Sequence, residues 1–583
     1  MADEQNRKET LTTASKTGSF LAAVYKAYLA EPEGRESLHL EIAALHNEGH
    51  VDVVAEFEKL SNKLSGGPDF FMTRHVFEKA LPDINAPIDA VMRCVLQLHR
   101  DAGQDMAAGT IFNGYIDYCG KDASRPLEAL KFIEAAPDQF ADILPATIVA
   151  GSRIDNPYYV AEVIRLSQHP EKTLRQRALF SFSRVQWPKE AAVPDSAFSA
   201  LEASAASEAD DESFASIARS AFAFYRHDKT TESRVTALIE GVLPKGNEYT
   251  LHAASAILGF ETKEIPSPLL DLLLTHMMRV KPTNGGTLNN IDYGIAHLLK
   301  GEDAEKGLRL LEEFLLMHAG TLTIKVFDSA AGEIRRDKAL LSKVMTRWLL
   351  NGARVLCESV HEIGGTPLGE DLVVDVDAAE LQPADAARII FVARKAIGYF
   401  FVKPITAAGL LISLMRLAAE DKVIEHLGEL MFDPLLLNYT GSAYEYVEAQ
   451  AKKESGEVKE TLDKALASIA DYLETLREVP TLAALHPGQA HREAYRRYMS
   501  ESTAASMKEA EKKSVFLNLV TRSTLLYGRK SINYVHGGGG PPQRTEFPLT
   551  SHSVQMEIPR MENIDEHGLN YMLRVFRAER IST

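Results

Sequence analysis

The feature that most constrains this chain is a helical pattern that recurs at intervals of 37 to 40 residues. Four segments start with a hydroxyl residue and a large apolar residue: Thr173-Leu174, Ser213-Phe214, Thr250-Leu251 and Thr287-Leu288. Each continues with a smaller apolar residue and then a larger one a turn later: Ala178/Phe182, Ala218/Phe222, Ala254/Leu258 and Ile291/Ile295. Apolar residues at this spacing share one helix face. The hydroxyl residues are expected to cap the helix starts.

Each of these helices follows another apolar helix, such as "YYVAEVIRLSQ" or "VTALIEGVL". One period therefore holds two antiparallel helices, which is the pattern of an α-solenoid. The segment "NPYYVAEVIRLSQHPEKTLRQRALFSFSRV" resembles a HEAT repeat, with Arg175 before Ala178 in its second helix. The resemblance covers about residues 105 to 335 and implies a shape rather than an activity. We therefore predict an all-α fold with a HEAT-like α-solenoid over residues 19–350.

The segments outside the repeats have their own patterns. Residues 1–18 are polar and are predicted to form a disordered N-terminal tail. The acidic stretch 199–213 is predicted to be an exposed connection within the array. Residues 351–530 are predicted to form a C-terminal helical domain, in which the apolar run 389–415 gives two buried helices that break at Pro404.

The stretch "NYVHGGGGPPQRTEF", Asn533 to Phe547, interrupts the helical pattern. A phosphate-binding Walker loop needs a lysine and a hydroxyl residue after its glycines, whereas two prolines follow here. Proline also lacks the backbone amide that would bind a phosphate. The run is therefore predicted to be a Gly/Pro joint that opens a C-terminal tail over residues 531–583.

The tail shows a period of two rather than a helical period. The alternating apolar residues are Val554, Met556 and Ile558, and then Leu569, Tyr571, Leu573 and Val575. This pattern predicts a β-hairpin. Two strands alone are only marginally stable, so the hairpin must dock either on the protein's own helices or on a partner. We expect it to be a docking element outside the main core.

Composition excludes several classes of function. The chain has 64 Lys and Arg against 81 Asp and Glu, a net charge of −17, which disfavours nucleic-acid binding over the whole surface. Its three cysteines, Cys94, Cys119 and Cys357, are far apart, which disfavours a disulfide scaffold or a cysteine-rich zinc site. We expect a cytoplasmic protein with no cofactor, no metal site and no membrane partner.

Two pairs of residues offer a catalytic alternative. Arg354 and His361 have the arginine–six–histidine spacing of HEPN ribonucleases, and this resemblance implies a catalytic pair in a cleft between helical bundles. Arg93 and His99 give a second match with five residues between them. Surface charges at helix ends are the alternative interpretation of both pairs.

The segment 491–530 is basic within an acidic chain, with nine basic and four acidic residues. The candidate contact residues are Arg492, Arg496, Arg497, Lys508, Lys512, Lys513 and Arg522. Tyr495 and Tyr498 lie among the arginines. Such a helix is suited to a nucleic-acid backbone or to the acidic face of a protein, while a solvated charge run is the simpler interpretation.

The sequence therefore favours a non-catalytic scaffold or adaptor that binds protein partners in a multi-protein complex, for example a bacterial antiviral defence system. The alternative is a nucleic-acid-contacting subunit or a HEPN-like ribonuclease that uses the Arg/His pairs.

Overall fold

The computed structural model confirms the all-α prediction for most of the chain. It describes residues 2–30, 35–62, 68–103, 105, 107–189, 191–365, 372–480, 487–513, 530–535, 543–548 and 557–581. The chain divides into two compact units, Met1–Lys338 and Ala339–Thr583.

Twenty α-helices lie within the described part of the first unit. They are α1 (Ala2–Lys16), α2 (Phe20–Ala30), α3 (Arg35–Asn47), α4 (Val53–Phe57), α5 (Phe70–Ala80), α6 (Ile88–Ala102), α7 (Ile111–Gly120), α8 (Ser124–Ala135), α9 (Pro137–Phe140), α10 (Leu144–Ile154), α11 (Asn156–Leu166), α12 (Lys172–Ser181), α13 (Asp195–Ser207), α14 (Asp211–His227), α15 (Glu232–Val242), α16 (Glu248–Phe260), α17 (Ser267–Met277), α18 (Gly285–Leu299), α19 (Ala304–Met317) and α20 (Asp328–Arg336). Short 3-10 turns connect several of them: Leu81–Asp83, Ala108–Thr110, Ala141–Ile143, Phe182–Arg184, Lys229–Thr231, Thr262–Glu264 and Ile324–Val326.

The second unit is also mainly helical. Its elements are α21 (Lys338–Asn351), α22 (Arg354–Ile363), α23 (Ala386–Phe400), α24 (Pro404–Leu417), α25 (Asp421–Leu430), a π-helical segment (Met431–Leu436), α26 (Ser442–Ala451), α27 (Gly456–Glu478), α28 (Gln489–Lys513), β1 (Lys530–Val535), β2 (Gln543–Pro548), α29 (Met561–Ile564) and α30 (Glu566–Ala578). The strands pair antiparallel, with Lys530 opposite Pro548 and Val535 opposite Gln543. The glycine run between them lies outside the described residues.

Helices of the first unit pack in two rows. In one row α10, α12, α14, α16, α18 and α20 each contact the next member of this series. In the other row α11, α13, α15 and α17 do the same. Consecutive helices join the two rows, as α14 does with α15 and α16 with α17. Each period of the sequence therefore adds one helix to each row.

Burial explains this packing. Every apolar position of the repeat is buried, from Leu174, Ala178 and Phe182 in the first period to Leu288, Ile291 and Ile295 in the fourth. A row helix therefore buries the same apolar face in each period. The predicted periodicity is confirmed at these residues.

The predicted capping role of the hydroxyl residues is wrong in detail. The caps of α14 and α18 are Asp210 and Asn284, whose side chains accept from the backbone amides of Ser213 and Thr287. Ser213, Thr250 and Thr287 are instead buried within the first turn. The cap lies upstream because the residue just before the helix can accept from the unpaired amides of the first turn.

Two carboxylates connect successive helices of the row. Asp211, at the start of α14, accepts from the amides of Asn247 at 2.6 Å and Tyr249 at 2.7 Å and from the Thr250 hydroxyl at 2.6 Å, all at the start of α16. Asp292 in α18 accepts in the same way from Ser329 at 3.0 Å, at the start of α20. Each carboxylate satisfies amides that have no partner within their own helix.

The predicted disordered N-terminal tail is wrong. Residues 2–16 form α1, in which Leu11 and Ala14 are buried. Arg7 donates from Nε to Oε2 of Glu41 in α3 at 2.6 Å. The segment is polar overall, but it has a narrow apolar stripe with Leu11 and Ala14. Its Arg7 also pairs with Glu41, which is distant in sequence.

The acidic stretch 199–213 is helical over most of its length rather than a connection. It contributes the end of α13, where Leu201 is buried one turn after Phe198. Its aspartates, Asp210 and Asp211, accept amides at two helix starts. In the second unit, the predicted break of two buried helices at Pro404 is confirmed, because Pro404 is the first residue of α24.

The predicted strand over Leu569–Val575 is also wrong. These residues lie in α30, which buries Leu569, Leu573 and Phe576. Residues spaced by four and three positions share a helix face, so the segment satisfies a helical stripe as well as an alternating one. Val554 and Met556, in the other predicted strand, lie outside the described residues.

The C-terminal segment belongs to the core of the second unit. Buried Lys395 in α23 donates from Nζ to the Arg577 carbonyl at 2.6 Å, and Arg394 pairs with Glu579 at 3.1 Å. Gly398 allows the approach of α30, because an added Cβ would lie 3.2 Å from the Phe576 Cβ. This end of the chain docks on its own unit and is not a free docking element.

We predict that Asp211→Asn lowers the free energy of unfolding by about 1–3 kcal/mol at neutral pH, because amides at the start of α16 lose an acceptor. Burial alone would raise the pKa of Asp211, but the hydrogen bonds from Thr250 and the neighbouring amides outweigh it and lower that pKa. The stabilisation is therefore present above the unfolded value of about 4 and is lost as the pH falls through the lower folded value.

Urea denaturation at several pH values measures this difference. The control is Asp271→Asn, because Asp271 is an exposed carboxylate that pairs with Lys306 at 2.8 Å, and exposed pairs contribute at most about 1 kcal/mol. Equal effects of the two substitutions would contradict the role of Asp211.

We predict that Phe576→Ala destabilises the protein by about 3–5 kcal/mol, since it removes a buried ring from α30. Tyr571→Ala on the same helix is the control, because Tyr571 is 72% exposed and its loss should change the stability by less than about 0.5 kcal/mol. Thermal and urea unfolding of the full chain distinguish the two. An unchanged stability of Phe576→Ala would show that α30 is dispensable.

Candidate interaction surface

Arg93 and His99 each bond to a different part of the structure and not to each other. Arg93 is exposed and pairs with Asp89 at 2.8 Å, one turn earlier in α6. His99 is partly buried, with Nδ1 3.1 Å from the Ala108 carbonyl and its ring 4.8 Å from that of Phe112. The arginine acts within its own helix, while the histidine contacts the turn before α7.

The second pair, Arg354 and His361, lies near the two ends of α22. The Arg354 side chain is 80% exposed and pairs with Glu358 at 2.7 Å. His361 packs against Phe400. Burial, with the charge of Lys403 as a further cause, lowers the pKa of His361. In the contacts described above, neither arginine bonds to the histidine of its pair. Catalysis by either pair stays a prediction.

The basic candidates lie mainly in α28. Every described side chain of this helix is exposed, including those of Arg492, Arg496, Arg497, Lys508 and Lys512. Tyr495 and Tyr498 are exposed among them. The Lys513 side chain and Arg522 lie outside the described residues.

Each unit has a groove on its described surface. One, of about 440 Å³ in the first unit, is lined by Arg74, Glu78 and Thr110. Arg74 is buried and donates from Nη2 to Thr110 Oγ1 at 2.9 Å, which fixes the turn before α7. The other, of about 480 Å³ in the second unit, lies between α25 and α27 and is lined by Glu425, Glu429 and Glu460.

A more distinctive surface lies on the stacked helices α14, α16 and α18. At 100° per residue, Tyr249, His252, Ala256 and Phe260 fall on one face of α16. The corresponding faces carry Ser216, Arg219, Ala223 and Arg226 on α14, and Asn289 and Tyr293 on α18. We call these ten residues the three-helix face.

Side-chain contacts show that the three-helix face is continuous. Arg226 of α14 pairs at 2.6 Å with Glu261, next to Phe260 at the end of α16. His252 lies with Nδ1 3.1 Å from Thr287 Oγ1 of α18. The rings of Phe260 and Tyr293 lie 6.0 Å apart, across α16 and α18.

Large aromatic side chains are exposed on this face. Tyr249, Phe260 and Tyr293 are 60%, 64% and 47% exposed. Exposed apolar surface costs free energy in water, and a group of such residues often marks an interaction site. Ala256 on α16 and Ala223 on α14 are small, so the same face also has room for side chains of a partner.

Arg219 and His252 are two titratable residues of the face whose pKa values are shifted. Burial lowers the pKa of Arg219. Burial, followed by the charge of Arg219, lowers the pKa of His252. The histidine is therefore held towards its neutral form.

Among the described residues, no group of three or more His, Cys, Asp or Glu side chains has a metal-binding arrangement. No described helix has the length and hydropathy to cross a membrane. Burial raises the pKa of the Cys119 and Cys357 thiols to about 12.

No protein-family model matches this chain, and no curated protein matches it. Among solved structures, the chain is similar to a crystal structure of an engineered protein from the Northeast Structural Genomics Consortium. The identity is 14%, and the match covers 81% of this chain and 99% of that chain, with a TM-score of 0.17. This likeness carries no argument about fold or function.

The three-helix face is absent from the sequence-based predictions. One signal was available at the position that follows the small apolar residue of each period. That position holds Leu179, Arg219, Ser255 and Asp292. Arg219 is the one cationic residue among these four, since the others are an apolar leucine, a serine and an aspartate.

Proposed function

We propose that this protein is a non-catalytic adaptor whose first unit is a HEAT-like α-solenoid that binds a protein partner through the three-helix face. Two packed rows of helices, each extended by one helix per period, support the solenoid. A stack of row helices presents a long continuous surface, and such surfaces suit elongated partners.

The observation that carries the binding function is the exposed contact between Phe260 and Tyr293 on neighbouring helices. Aromatic residues are enriched at protein interfaces, where a few of them supply most of the affinity. The nearby Tyr249 and Arg219 belong to residue types that recur at such sites. The face therefore has the composition of a protein-binding surface.

We predict that the double variant Phe260→Ser/Tyr293→Ser keeps the stability of the wild type and loses a stoichiometric partner on affinity purification from the source cells. Both side chains are exposed, so their removal changes the surface and leaves the core intact. The measurement is quantitative mass spectrometry of the co-purified proteins, with purification of the wild type in parallel.

A matched control is Leu127→Ser/Phe132→Ser, which removes two exposed apolar residues from α8. The control should retain the partner. Equal recovery with both double variants, or no stoichiometric partner with the wild type, would contradict the proposed function.

One observation favours a second function. The helix α28 exposes arginines and tyrosines along its described length, and this combination suits a single-stranded nucleic acid, whose bases stack on aromatic rings. A nucleic-acid-contacting subunit is therefore the alternative function.

For this alternative we predict salt-dependent binding of a single-stranded RNA oligonucleotide that Arg492→Gln/Arg496→Gln/Arg497→Gln weakens. Loss of phosphate contacts should weaken binding and reduce its dependence on salt. Fluorescence anisotropy at two salt concentrations measures both effects. The control triple, Lys452→Gln/Lys453→Gln/Lys459→Gln, removes the same charge elsewhere in the unit, and an equal loss with this control would refute a specific role of α28.

A further inference from the structure

Arg219 differs from the other arginines around it in the first unit. Its Nε is buried, and no hydrogen bond or ion pair joins the side chain to any residue that the structure describes. Nearby row arginines each contact a carboxylate. The pairs are Arg175 with Glu208 at 2.8 Å, Arg177 with Asp142 at 2.8 Å, Arg226 with Glu261 at 2.6 Å and Arg234 with Glu202 at 2.6 Å.

An arginine without a partner is costly at this position. The guanidinium cannot lose its proton in a protein, so the buried Nε leaves one N–H of a charged group without an acceptor. Among the described residues, no carboxylate of α14, α16 or α18 forms an ion pair or hydrogen bond with it. A ligand with a negative charge would remove this cost.

His252 supplies a second donor beside Arg219. Its Nδ1 is engaged with the Thr287 hydroxyl at 3.1 Å. When that hydroxyl donates to Nδ1, the ring proton resides on Nε2, which can then donate to an anion. Gly286 leaves the edge of the ring open, since an added Cβ there would lie 3.9 Å from the imidazole Cε1.

The surroundings decide which anion fits. Exposed rings of Phe260 and Tyr293 on the same face are suited to side chains of a protein. A nucleic acid needs several phosphate contacts, whereas Arg226, the other arginine of this face, is already paired with Glu261. A single carboxylate can occupy one guanidinium fork bidentately, as a phosphate also can, and the neighbouring exposed rings favour the carboxylate of a protein side chain.

We propose that Arg219 and His252 form a binding site for a side-chain carboxylate, an Asp or Glu in an exposed segment of the partner protein. This site rests on the proposed function of the three-helix face and names the chemistry of its partner. The charged contact fixes the register of the segment, while Phe260 and Tyr293 bury its apolar side chains.

The first test uses the sign of a stability change in the isolated full-length protein. Arg219→Met should raise the melting temperature by about 2 °C or more, because it removes a buried N–H that has no acceptor and keeps most of the side-chain volume. Arg234→Met, which breaks the pairs with Glu202 and Asp195, should lower it. A lower melting temperature for Arg219→Met would show an internal structural role and overturn the proposal.

The second test follows binding directly by NMR of protein with labelled histidines, with the His252 signal assigned through His252→Gln. The probe is N-acetyl-glutamate α-amide, and its neutral control is N-acetyl-glutamine amide. The carboxylate probe should shift the His252 signal in the wild type and in Arg234→Met but not in Arg219→Met.

Each outcome of this titration decides the proposal. A shift with the neutral control, or none with the carboxylate in the wild type, would overturn the carboxylate site. A separate titration with inorganic phosphate that shifts the signal when the carboxylate does not would assign the site to phosphate instead, against the proposal. Because these tests need no partner, they can fail while the loss of a partner with Phe260→Ser/Tyr293→Ser still supports the adaptor function, and the converse also holds.

Discussion

The stacking of the first unit depends on carboxylates that bond across helices. Asp211 at the start of α14 satisfies amides at the start of α16, and Asp292 does the same for α20. A helix start packed against a neighbour would otherwise leave its first amides without acceptors, which costs free energy. These bonds also set the offset between successive row helices, because a short aspartate side chain reaches only one turn of its neighbour. The alignment of α14 with α16 in the three-helix face follows from the Asp211 bonds, whereas α16 and α18 are joined by the His252–Thr287 and Ser255–Asn290 bonds.

The second unit depends on a different constraint, which is the packing of the C-terminal helix α30 against α23. Lys395 is buried in α23, and its ammonium group reaches the Arg577 carbonyl, which comes near the end of the described chain. The same approach favours glycine at position 398, where an added Cβ would lie 3.2 Å from the Phe576 Cβ. A buried lysine, a glycine and an aromatic ring that are far apart in sequence therefore act together, and α23 completes its surroundings only when α30 is in place.

Local periodicity made much of the fold predictable. The apolar positions from Leu174 to Ile295 lie where their spacing predicts, and the break at Pro404 follows from the missing amide of proline. The errors have physical causes. Residues 569–576 satisfy both a period of two and a helical stripe, and only packing on α23 selects the helix. The polar segment that forms α1 depends on Glu41, far along the sequence, and no local pattern reveals such a partner. The candidate site was missed for the same reason, since the isolation of Arg219 is a property of the neighbouring helices.

The order of elements in the second unit has a further consequence for chain connectivity. The segment that contains α28, β1 and β2 leaves after α27 and comes back at Glu557, whose carboxylate accepts from the Ser442 amide at 2.9 Å. The compact part of the unit is therefore discontinuous in sequence, with its last piece held by side-chain bonds and buried rings as well as by the covalent chain. A single peptide-bond cut within α28 would yield two polypeptides that remain one folded particle and separate only on denaturation.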